Sequence, residues 1–93
     1  MTNIERVALL IHQNEFVSYF ELTQHHPKIA RQLSAIIFSL RNNYKIDIVT
    51  SVNNLTGDIF YTGTIPYVIL ESIAKNSAKY ELMIANKRTN EVS

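Results

Sequence analysis

One stretch constrains the fold more than any other: residues 28–43, KIARQLSAIIFSLRNN. Leu33, Ile37 and Leu40 recur at i, i+4 and i+7, with Ile29 a turn earlier, so they form one apolar stripe on an α-helix. Pro27 stands where the first turn of a helix has no use for a backbone N–H. Asn42 and Asn43 are placed to end the helix, because Asn tolerates the left-handed conformation found there. From His25 to Lys45 the chain carries Lys28, Arg31, Arg41 and Lys45 and no acidic residue. A core stripe on one side and unopposed cations elsewhere suit a helix that presents its outer face to a polyanion.

The segments around this helix set its context. Ile4, Val7, Ala8 and Ile11 fall at helical spacing, which predicts a first helix over 3–13, capped by Thr2 or Asn3. An aromatic-rich segment follows, with Phe16, Val17, Tyr19, Phe20 and Leu22. Ser18, with Glu21 three residues on, forms a capping box for a short second helix over 19–24. His26 precedes proline and is pushed out of the helical region, so His25-His26-Pro27 is a tight turn. Helix, short helix, tight turn and longer amphipathic helix is the order of a helix-turn-helix.

After residue 43 the period changes to two. Ile46, Ile48 and Val52 alternate in a β-branched run, as do Ile59, Tyr61 and Ile65, and residues 53–58 carry turn formers between them. This is a β-hairpin, and after a helix-turn-helix it forms a wing. Pro66 opens a last helical segment. Asn76-Ser77 is a candidate break, and residues 78–87 fit a helix better than a strand.

Composition narrows the class. The chain has 93 residues, 46% of them hydrophobic and 18% charged, enough for one modest core and unlike a disordered chain. It has no cysteine, no paired metal-ligand spacing around its three histidines, and only two glycines to build a phosphate cradle. No nucleophile elbow or zincin helix is present either. The expectation is therefore no enzyme, no cofactor and no metal. With neither a signal peptide nor a membrane-length apolar run, a cytoplasmic location is expected.

The net charge of +1 hides a segregation. Residues 1–24 set Arg6 against Glu5, Glu15 and Glu21, whereas the four cations of residues 25–45 face no acid. Arg31, Gln32 and Ser34, near the start of the long helix and off its stripe, are the candidate base-reading residues. Lys28, Arg41 and Lys45 are the candidate phosphate contacts. Tyr44 is expected to plug the core where helix meets wing.

The run Leu33-Ser34-Ala35, Ile37, Leu40-Arg41, then Tyr44-Lys45-Ile46, resembles a small winged helix-turn-helix family common in phage and prophage genomes. The resemblance covers roughly residues 4–65. It implies double-stranded DNA binding through the third helix and a role in transcriptional or phage-cycle control. The chain departs from that pattern in Ile36 and Phe38, where charged residues often stand, in Asn43 for the usual glycine, and in a hairpin tip without Lys or Arg that ends in Asp58.

The fold expected is α+β: a winged helix-turn-helix over residues 1–65, a helical extension over 66–87 and a polar tail over 88–93. Ile36 and Phe38 either pack beneath a neighbouring helix or form an exposed patch. With Ile69, Ile73 and Tyr80 of the extension they are the candidate protein-interface residues, for a homodimer or for a host protein that the chain would bind and modulate.

Overall fold

The computed structural model describes the backbone of residues 1–92 and the side chains of residues 1–85. The elements are α1 (Asn3–Asn14), β1 (Phe16–Ser18), α2 (Tyr19–His25), α3 (Pro27–Asn43), β2 (Ile48–Val52), β3 (Ile59–Gly63) and α4 (Tyr67–Val92). The fold is α+β, with four helices and one antiparallel sheet of strand order β1-β3-β2. No described helix is long and apolar enough to cross a membrane.

Local chemistry starts and stops each element. Thr2 caps α1, its Oγ1 accepting from the Glu5 N–H at 3.4 Å. Glu15 ends α1 in the left-handed conformation (φ 68°) and returns its own N–H to the Ile11 carbonyl. That reversal sends the chain straight into β1, a strand the aromatic run 16–22 did not disclose. β1 pairs with β3 in the register Phe16 with Thr62, Val17 with Tyr61 and Ser18 with Phe60.

Ser18 caps α2 as expected, accepting from the Glu21 N–H at 3.3 Å. A carboxylate from far along the chain adds to that cap. Asp58 Oδ2 accepts from Ser18 Oγ at 2.6 Å and its Oδ1 accepts from the Phe20 N–H at 3.0 Å.

The start of α3 agrees with the sequence reading, with Pro27 in its first turn. Its end does not. Asn42 and Asn43 lie inside the helix, and their amides donate back to the Phe38 carbonyl and to Ser39 Oγ. Lys45 adopts the left-handed conformation instead (φ 56°), which lets the Ile46 N–H reach the Leu40 carbonyl at 3.2 Å. The strand therefore begins only at Ile48. Ile46 and Ile48 are buried as their phase required, whereas Val52 extends past the core and is exposed. At the hairpin's base, a Cβ on Gly63 would stand 2.8 Å from the Asp47 carbonyl oxygen, so this close approach needs glycine.

α4 passes through Asn76-Ser77 without a break. Ser77 is buried because its hydroxyl meets the start of α1: it donates to Thr2 Oγ1 at 2.6 Å and accepts from the Thr2 N–H at 3.1 Å. The Met1 ammonium pairs with Glu81 at 2.8 Å, one turn further on. The polar tail expected over residues 88–93 concerns side chains outside the described residues.

The core joins Val7 and Ile11 of α1, Leu33, Ile37 and Leu40 of α3, Ile65, and Ile73 of α4, all almost fully enclosed. Tyr44 packs against it, and its hydroxyl accepts from Asn76 Nδ2 at 2.9 Å.

Candidate nucleic-acid interface

The buried stripe of α3 is wider than three residues. Ile29, Ala30 and Ile36 join Leu33, Ile37 and Leu40 in the core. At 100° per residue the opposite ridge carries Lys28, Arg31, Ala35, Phe38 and Asn42, all exposed. Ser34 is exposed on one flank of this ridge and Gln32 on the other. The N-terminal half of α3 thus brings Lys28, Arg31 and Ser34 to one solvent-facing surface, with Gln32 at its far edge toward α1. Ala35, at its centre, leaves room for close approach.

The other two candidate cations stand apart. Arg41 lies about 20 Å further along the helix axis than Lys28. Its guanidinium is occupied: Nε and Nη2 donate to the Ile48 carbonyl at 3.0 and 2.6 Å, and Nη2 donates to Thr50 Oγ1 at 2.8 Å. Arg41 is therefore a strap between α3 and β2, which corrects its assignment as a simple phosphate contact. Removing it with Arg41→Ala is expected to cost about 1 kcal/mol of stability, the worth of a partly exposed charged hydrogen-bond pair. Urea unfolding checks this, and Arg41→Lys, which cannot form the same fork, is expected to fall between the two. Lys45 is exposed at the helix–hairpin joint.

Gln32 is likewise engaged, its Oε1 accepting from Asn3 Nδ2 at 2.9 Å. That bond aims the side chain toward α1 and fixes one end of its amide.

The interface candidates divide in two. Ile36 and Ile73 are core residues, 7% and 0% exposed, and Ile36 reaches the surface only as an edge in the lining of the groove closed by Tyr80. Ile36 stands three residues after Leu33 and four before Leu40, which places it on the stripe. Ile73 is covered by the packing of α4 on α1. Ile69 is half-buried against the same core. Phe38, 67% exposed, and Tyr80, 56% exposed, do face solvent. Tyr80 closes a groove of about 590 Å³ with Thr2, Ile4, Gln32, Ala35 and Ser39.

The hairpin tip differs in kind from the ridge. Asn53 Oδ1 accepts from the Leu55 and Thr56 N–H groups, and Gly57 turns the chain with φ 77°. Leu55 is left 96% exposed at the apex. Asp58 turns inward onto α2, so its charge is withdrawn from the tip. Burial pushes its carboxyl upward, but hydrogen bonds from Ser18 and from the Phe20 and Ile59 N–H groups outweigh this and hold it below the ordinary value.

The histidines do not converge: His12 Nδ1 lies 2.7 Å from the Ile65 carbonyl, while His25 and His26 flank the α2–α3 turn. No protein-family model, curated protein or solved structure matches the chain.

Proposed function

We propose that the protein is a winged helix-turn-helix regulator of transcription that binds double-stranded DNA by laying the exposed ridge of α3 in the major groove. The element order α1-β1-α2-α3-β2-β3, with β1 completing the hairpin sheet, supports the winged-helix reading. The observation that carries the DNA reading is the solvent face of α3, where Lys28, Arg31 and Ser34 stand exposed in a stretch free of acids. In this reading Arg31 reads a base edge, with Ser34 and the free end of the Gln32 amide beside it. Lys28 and Lys45 hold phosphates. Phe38, further along the ridge, meets thymine methyls or sugar.

With Lys28, Arg31 and Lys45 as the cations engaged, log affinity is expected to fall with log salt at a slope of about −2.7 per subunit. Anisotropy titrations against duplex DNA at several salt concentrations measure it, and a slope near zero removes the mechanism. Arg31→Ala is expected to weaken binding by about 1–3 kcal/mol. The exposed Tyr80, Leu82 and Met83 of α4 favour pairing with a second copy, which would present two recognition helices to a two-fold site. Sedimentation beside the titrations tests that pairing.

The exposure of Phe38 on the α3 ridge favours a second reading, in which the ridge binds a protein. Phe38→Asp would abolish that binding. Arg31→Ala would leave it intact.

A further inference from the structure

The strand order leaves β1 at an edge of the sheet, and its outer side opens onto a cleft of about 250 Å³. All three residues of β1 line this cleft, and none of β3 does, so it lies on the strand's unpaired side. Leu10 of α1 and Leu22 of α2 form apolar walls on either hand. Phe16 is 40% exposed at the start of the strand. The Gly63 N–H bonds to the Glu15 carbonyl, which in an antiparallel ladder turns the backbone groups of Phe16 away from β3 and into the opening. Val17 and Ser18 are buried, so the edge is open at Phe16 alone, and there, between two apolar walls, an added strand can begin its pairing.

The charge around the cleft selects the occupant. Between Arg6 and His25 the chain carries Glu15 and Glu21 and no lysine or arginine, and Glu21 lines the cleft itself. His25 and His26 belong to the lining as well. Glu21 is the one formally charged residue in the lining; Arg6 of α1 stands in the neighbouring groove with Leu10 and His26, and the other described cations lie on α3, just after it, or on α4.

We infer that this cleft captures an extended segment of a partner protein, one that alternates apolar and basic residues and adds as a strand along β1. Its backbone pairs with Phe16, an apolar side chain enters between Leu10 and Leu22, and a lysine or arginine faces Glu21. The site is separate from the α3 ridge, so one molecule can hold DNA on one side and a basic peptide on another.

The test titrates a short synthetic peptide alternating lysine and valine into the isotopically labelled full chain and follows the backbone amides. Shifts centred on Leu10, Phe16, Ser18 and Glu21 are expected. The same peptide N-methylated at alternate residues, which cannot complete the ladder, is expected to bind at least about tenfold more weakly. Glu21→Lys, with its fold checked by circular dichroism, is expected to weaken the unmethylated peptide by about tenfold or more. Equal binding of both peptides overturns the strand addition, and equal binding of a glutamate–valine peptide overturns the charge match. No shift at millimolar peptide, or the same shifts from butylamine alone, overturns the proposal as a whole.

Discussion

Leu40→Ala is expected to lower the unfolding free energy by about 2–5 kcal/mol, whereas Phe38→Ala, two residues away on the same helix, stays within about 0.5 kcal/mol. Leu40 is wholly enclosed in the core that α3 shares with α1, Ile65 and Ile73, and its carbonyl also receives the Ile46 N–H that redirects the chain into the hairpin. Truncating it leaves a cavity where several elements meet. Phe38 leaves two-thirds of its surface in water and has little packing to lose. For a domain of this size the Leu40 change corresponds to a melting-point drop of roughly 10–30 °C. Urea and thermal unfolding of the two variants side by side check it. Equal losses would mean that α3 does not divide into a buried stripe and an exposed ridge as described, and the DNA reading would lose its surface.

That division was mostly legible in the sequence because it follows from local spacing. Leu33, Ile37 and Leu40 announce the stripe, and Pro27 and Ser18 announce the starts of α3 and α2. Ile36 was legible in principle, since its offsets from Leu33 and Leu40 are those of helix neighbours, but adjacency to Ile37 and Phe38 obscured it. What local spacing does not contain is partnership across long sequence separations. β1 has three residues and no strand signal of its own; it exists because β3 arrives to pair with it. The buried Ser77 owes its place to Thr2, at the other end of the chain. Arg41 has the composition of a phosphate contact, and only the position of β2 shows its guanidinium already engaged. The exposed candidates Lys28, Arg31 and Ser34 need no such partner and stand where the helical period put them.

Asp58 is the sharpest case, because its sequence position at the end of a turn suggests a solvated hairpin tip and its bonds place it inside. Asp58→Ala is expected to lower the melting temperature by several degrees at neutral pH. The change strips an acceptor from Ser18 Oγ and another from the Phe20 N–H, loosening the start of α2 and its tie to β3. The pH dependence follows from the direction of its shift. Desolvation opposes ionisation, but the bonds from Ser18, Phe20 and Ile59 prevail, and the folded carboxyl titrates below its ordinary value of 3.8. A group whose folded value is depressed stabilises the fold above the unfolded value and loses that contribution as pH falls through the folded one. The gap in melting temperature between the parent and Asp58→Ala is therefore expected to be constant from neutral pH to about pH 5 and to shrink on further acidification. Every other group is common to the two proteins and largely cancels in the difference. A gap that widened with acid would mean that the fold prefers the protonated carboxyl, reversing the assignment of Asp58 as an ionised cap. A gap absent at neutral pH would return Asp58 to the solvated tip, and the hairpin would then meet DNA with a negative charge.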